Sequence, residues 1–332
     1  MRVVIYSVQR VLALLLLLCA PLLYAGNGIV LLLSSDALPY REVEQGIRAT
    51  LFEQQSAIPI ASLTLDSLLS EEAVLPDDID VLVTIGTRAT RYALQENISD
   101  TIYSSFITAS GLLREITTEK GFPDALKGAV VLDQPAERVI LLAKLISPQA
   151  TRLGTVVNAS APNRLSEFKR VAQRRGLKLI AASLFEESNP IADLKKIFAK
   201  SDVFLVIPDK ANFNSKIAKW ILFLSYRHRV PVIGYSKKYT DAGALISIFS
   251  SPLEVGRDTG ERLLSYLSLK SQKAPMVRLQ YPRYFSLSIN DKVVESLGLT
   301  IGNEAQLKER MRQQLSASVR DESGLVLEVV EQ

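Results

Sequence analysis

"VFLVIPDKANFNSKIAKWILFLSYRHRVPVIGYS", residues 203–236, decides the fold. Two apolar runs, Val203 to Ile207 and Val230 to Ile233, each end abruptly in polar residues. Pro208-Asp209-Lys210 follows the first and Gly234-Tyr235-Ser236 the second. Between them Ile217, Trp220, Ile221 and Leu224 recur at i, i+3, i+4 and i+7, the buried stripe of an amphipathic helix. This spacing predicts that Trp220 is a core residue. A strand, a helix and a second strand in so short a span form one crossover of a parallel sheet.

The same alternation extends in both directions. Upstream in this half are strands over 152–157 and 178–184, with a helix between them stopped by Gly176. Asn189-Pro190 opens a further helix. Downstream come a strand over 244–249, the capping box Ser251-Pro-Leu-Glu254 with a helix through about Leu267, a last strand over 287–289 and a helix over 291–297. The first half reads the same way. Strands are predicted over 28–33, 58–65, 81–85, 101–108 and 129–132, with helices over 39–54, after Gly86-Thr87, and over 136–146. Two series of this kind imply two α/β lobes, which suits the chain's length.

The N-terminus sets the compartment. Arg2 and Arg10 precede an apolar run from Val11 to Cys19, and Ala25-Gly26 offers a cleavage site. This is the pattern of a secretory signal peptide over residues 1–25, and the run is too short to span a bilayer. Cleavage would remove the single cysteine, Cys19, and two arginines, taking the formal charge from +4 to +2. So small a surplus implies no nucleic-acid surface. Cys19 lacks the preceding small residue of a lipid-anchored protein, so the expected location is the periplasm.

Catalytic constellations are missing. One histidine, His228, stands between Arg227 and Arg229 at a helix end, where a polar or cationic side chain suits the dipole. No dinucleotide fingerprint, phosphate loop or metal-ligand spacing is present. The expectation is a binder with no catalytic residue, no metal and no cofactor. The remaining signals are polar clusters at strand ends, where open parallel sheets bind ligands. Candidate ligand-binding residues are Ser34, Ser35, Tyr40, Gly86, Thr87, Asn158, Ser160, Asp209, Asn212, Tyr235 and Ser236. Tyr40 and Tyr235 offer stacking faces; Asp209 could accept from a ligand amine or cap the helix after it.

A resemblance rests on particular blocks. Pro231-Val-Ile-Gly-Tyr-Ser236, Tyr239, Ala242-Gly-Ala-Leu245, Ser250-Ser-Pro252 and Val255-Gly256 resemble the ABC-transporter substrate-binding proteins, tryptophan- and tyrosine-binding members included. Tyr281-Pro282, Phe285-Ser286, Asn290, Lys292-Val293 and Leu297-Gly298-Leu299 resemble the terminal block of the same family. The resemblance implies the type I periplasmic-binding-protein fold, two Rossmann-like lobes with a hinge and an interlobe cleft. The N-terminal lobe is then 26–133 completed by 250–270, and the C-terminal lobe 134–249 completed by 280–300. Residues 303–332 form a charged, mostly helical tail. Many members carry a Thr-Asp-Pro-like stretch where this chain has Ile107-Thr108-Ala109-Ser110-Gly111, a departure that weighs against an aromatic amino acid as ligand.

The implied function is capture of an amino acid or similar small organic solute by a monomer, and its delivery to an ABC permease in the inner membrane. A periplasmic sensory module for a membrane receptor or kinase is the alternative. A two-lobed glycosyltransferase-like enzyme ranks third, because no phosphate loop is present for a nucleotide donor.

Overall fold

A computed structural model describes residues 28–54, 58–116, 123–157, 162–183, 190–208, 215–269 and 279–321. The expected signal peptide and the candidates Asn158, Ser160, Asp209 and Asn212 lie outside the described residues.

The N-terminal half alternates strictly. β1 (Gly28–Leu33) leads to α1 (Leu38–Glu53), β2 (Ile60–Thr64) to the short α2 (Leu65–Leu69), and β3 (Ile79–Ile85) to α3 (Thr87–Gln95). β4 (Ile102–Ile107), α4 (Ala109–Ile116) and β5 (Leu126–Val131) complete the series. The five strands are ordered β2-β1-β3-β4-β5 and all pair in parallel. β1 reads Gly-Ile-Val-Leu-Leu-Leu and is buried at every position, because helices cover both faces of a parallel sheet.

The second half begins with α5 (Ala136–Ile146), β6 (Arg152–Val157), α6 (Pro162–Arg174), β7 (Lys178–Ser183) and α7 (Pro190–Phe198). β8 (Val203–Leu205), α8 (Ser215–His228), β9 (Val232–Gly234), α9 (Lys237–Asp241) and β10 (Ile246–Phe249) follow. The opening stretch is therefore β8-α8-β9, with the two strands adjacent and parallel. After α10 (Pro252–Leu269), β11 (Ser286–Ile289) joins the sheet, and α11 (Asp291–Leu297) and α12 (Glu304–Asp321) follow. The order is β11-β10-β9-β8-β6-β7.

Four features depart from the sequence reading. β11 is antiparallel to β10, so the sheet is mixed. The helix α4 was not anticipated; its apolar pair Leu112 and Ile116 is buried, but Ser110 and Gly111 mask the pattern. Residues 304–321 are more than a charged tail, since Leu307 and Met311 are fully buried in the core formed with α5 and β11. Trp220 is half-buried at the rim of the cluster that holds Ile217, Ile221 and Leu224.

The helix α10 follows the second sheet in sequence yet packs on α1, whose strands belong to the first. Their backbones come so close that a Cβ on Gly46 would lie 2.5 Å from the Leu253 carbonyl oxygen, and one on Gly256 2.2 Å from that of Val43. Ser105 on β4 and Thr259 on α10 add a buried hydroxyl pair at 2.7 Å.

Candidate functional site

Three connections join the two sheets: residues 132–135 from β5 to α5, Ser250-Ser251 from β10 to α10, and the segment between α10 and β11, of which residues 279–285 are described. One polar network ties them together. Gln134 Nε2 donates to Ser250 Oγ at 2.9 Å, and that hydroxyl donates to the Tyr284 carbonyl at 2.6 Å. Arg138 donates to Gln134 Oε1 at 2.5 Å and to the Pro282 carbonyl at 3.0 Å, with its guanidinium 4.7 Å above the Phe285 ring. Burial lowers the Arg138 pKa to about 10 against the pull of Asp258 and Glu254.

Arg164, in the first turn of α6, closes the junction. It donates to the Gln134 carbonyl at 2.7 Å, to Tyr281 Oη at 2.6 Å and to Glu167 at 3.1 Å, and lies 3.8 Å from Asp133. Asp133 in turn accepts the Ala109 N–H at 2.7 Å, the first backbone amide of α4. Burial raises the Asp133 pKa, and Arg164 opposes the rise.

The chain leaves the first sheet at the carboxyl end of β5 and the second at the carboxyl end of β10. Because both of these connections are only a few residues long, the carboxyl ends of the parallel strands of the two sheets meet at this junction. That is where a ligand of an open α/β sheet sits.

The first sheet's edge brings together Ser34, Tyr40, Gly86 and Thr87. Gly86 has φ +92°, and a Cβ there would fall 2.5 Å from the Tyr40 ring and 2.7 Å from Ser34 Oγ. Ser34 is buried and its hydroxyl accepts the Ala89 N–H at 3.0 Å, so it caps α3. Thr87, the first residue of α3, is half-exposed, as is Ser35, whose hydroxyl accepts the Ala37 N–H at 3.4 Å. Phe106 escaped the sequence reading. It has φ +56° where the β4–β5 register shifts, and its ring meets Tyr40 edge-on at 5.5 Å. A bulge re-aims a side chain in this way, and its only sequence trace is an aromatic near a strand end.

The second sheet's edge carries Tyr235 and Ser236, both half-buried, immediately after β9. The Tyr235 ring tilts against Tyr239 at 5.1 Å. Burial raises the pKa of Tyr235, while its hydrogen bond with Tyr239 works in the other direction. A small pocket opens here, lined by Gln134, Arg164, Pro208, Gly234, Tyr235 and Ile248, so residues of the crossover and of the second sheet share one concavity. His228 is exposed at the end of α8, its ring 6.2 Å from Phe198. Among the described residues no group of three or more His, Cys, Asp or Glu side chains is placed to hold a metal ion.

Comparison with known proteins adds the lineage. No curated protein sequence matches the chain. Among solved structures, an ABC domain in complex with L-Trp from Streptococcus pneumonia has a TM-score of 0.53 at 18% identity, covering 85% of this chain and 98% of its own. The ligand-free, open form of CD0873, a substrate binding protein with adhesive properties from Clostridium difficile, reaches 0.60 at 15% identity over 83% of this chain and 96% of its own. A conserved domain protein from Vibrio cholerae scores 0.53 at 19% identity, covering 83% and 96% respectively. These likenesses establish the fold, that of the type I periplasmic binding proteins. Over residues 61–312 the sequence also matches the family described as ABC transporter substrate binding protein, and the chain belongs to that family.

Proposed function

We propose that the protein captures a small organic solute, an amino acid or a compound of similar size, between its two lobes and hands it to an ABC permease. The observation that carries this reading is the meeting of two carboxyl sheet edges at a bonded three-strand junction. Tyr40, Gly86, Thr87 and Phe106 stand on one edge, Gly234, Tyr235 and Ser236 on the other. The tyrosines present apolar faces to a ligand body. The half-exposed start of α3 at Thr87 offers the positive end of a helix dipole to a carboxylate. Asn158, Ser160, Asp209 and Asn212, which follow β6 and β8 in sequence, extend the second edge. Closure about the three crossovers buries the ligand without making or breaking a bond.

Residues 1–25 are read as a cleaved export signal, which places the mature monomer in the periplasm. A thermal-shift screen of amino acids, short peptides and small organic acids on refolded, ligand-stripped protein tests the reading. A binder of the folded state raises the melting temperature, and the stabilisation grows with the logarithm of its concentration over Kd. A screen in which no compound of these classes shifts the transition would contradict it.

A further inference from the structure

The outer face of α8 combines exposed aromatic rings with cationic side chains. Its inner face, Ile217, Ile221 and Leu224, is buried against α7 and the sheet. The opposite face exposes Phe223 at 48% and Tyr226 at 78%. Trp220, the only tryptophan of the chain, stands at its border with its ring edge-on to Phe223 at 5.6 Å. Projected at 100° per residue, Lys216, Lys219 and Arg227 fall on the same arc as Phe223 and Tyr226.

Among the described residues of α7 and α8 the charge is mostly positive. The helix reads Ser-Lys-Ile-Ala-Lys-Trp-Ile-Leu-Phe-Leu-Ser-Tyr-Arg-His and contains no acidic residue. The neighbouring α7 adds exposed Lys195 and Lys196, and Lys200 follows it; the single acid of α7, Asp193, is paired with Lys196 at 3.3 Å.

We propose that this face docks on the headgroup region of an anionic phospholipid bilayer. Aromatic rings flanked by lysine and arginine suit that region. The rings settle at the level of the headgroups, and the cationic ends pair with lipid phosphates while their stems lie against the apolar layer. An acidic protein surface would satisfy the lysines, but it gives no comparable reason for Phe223 and Tyr226 to stand in water without a groove around them. Among the described residues no helix is long and apolar enough to cross a membrane. The proposed attachment lies on the outer face of α8 and does not depend on the identity of the captured solute.

Trp220 makes the test direct. The full-length mature protein is mixed with vesicles of phosphatidylcholine alone or with phosphatidylglycerol at about one part in three, and binding is followed by cosedimentation and tryptophan emission. Binding to the anionic vesicles with a blue shift of the emission is expected, together with little binding to the neutral ones. Phe223→Ser combined with Tyr226→Ser should weaken binding at least fivefold. Lys219→Glu should do so by a similar factor, since a cationic side chain at such a surface contributes about fivefold. All three positions are on the outer face, so the melting temperature should hold, and it is measured for each variant. No association with anionic vesicles, or association unchanged in both variants, overturns the proposal. So does a loss confined to Lys219→Glu with no emission shift, which would mark a charge-only surface fit for an acidic protein.

Discussion

At the level of single residues, the first sheet's edge is held in shape by Gly86. Its φ of +92° suits glycine, and its missing side chain leaves room for the Tyr40 ring and the Ser34 hydroxyl. Gly86→Ala therefore combines backbone strain with a clash against Tyr40. A loss of roughly 1–3 kcal/mol in urea unfolding is expected, with weaker solute binding as Tyr40 is displaced. Retained stability and affinity would show that neither the turn nor the ring is constrained. Ser34 illustrates how strand-end polar residues divide. Ser34 caps a helix and is buried, whereas Thr87, Tyr235 and Ser236 keep surface at the junction. From sequence the two kinds look alike, because both capping and ligand contact select small polar residues at the same position.

Elements are joined at their ends by similar local devices. The capping box at the start of α10 is reciprocal: Ser251 N–H donates to Glu254 at 2.9 Å, and Glu254 N–H to Ser251 Oγ at 3.2 Å. At the opposite end of the second sheet, Asp202 accepts the N–H groups of Thr151 at 2.9 Å and Arg152 at 2.8 Å, and pairs with the Arg152 guanidinium at 2.7 Å. It thereby ties the start of β8 to the start of β6. The hydrogen bond from Arg152 lowers the Asp202 pKa to about 2, partial burial opposes it, and the Thr151 and Arg152 amides assist. The folded pKa lies below the ordinary 3.8, so this stabilisation is complete above about pH 4 and is lost as the pH falls toward 2. Asp202→Asn should cost about 1 kcal/mol near neutrality, a figure reduced for the exposure of the pair. Denaturation series at pH 6 and pH 2.5 should show the gap between the two proteins closing. A gap independent of pH would mean that the carboxylate charge plays no part.

Across the whole molecule, the junction network sets how the two sheets are held. Arg164 reaches the Gln134 carbonyl, Tyr281 and Glu167 and neighbours Asp133, so removing it leaves buried carboxylates with less compensation. Arg164→Ala is expected to cost about 3–5 kcal/mol in chemical denaturation. A loss under about 1 kcal/mol would show that the junction does not rely on this charge. The bonds that tie the three connections together were not legible in the sequence, because their partners are more than a hundred positions apart: Gln134 with Ser250, Arg164 with Tyr281. The alternation of strands and helices was legible almost throughout, since buried parallel strands read as apolar runs and covering helices as stripes. The antiparallel β11 was not, because its direction depends on the long connection that precedes it and not on its own four residues. α12 was legible only in part, its stripe of Leu307 and Met311 being set among many charges.

In the proposed function one solute is held by both sheet edges at once. Titration calorimetry with the compound found in the screen, run on wild type, Tyr40→Ala and Tyr235→Ala, tests it most directly. Each substitution alone should weaken binding at least tenfold, about 1.4 kcal/mol, because the rings stand on opposite sides of the junction. Full affinity in either variant would contradict the account, since the solute would then rest on one lobe and not between the two.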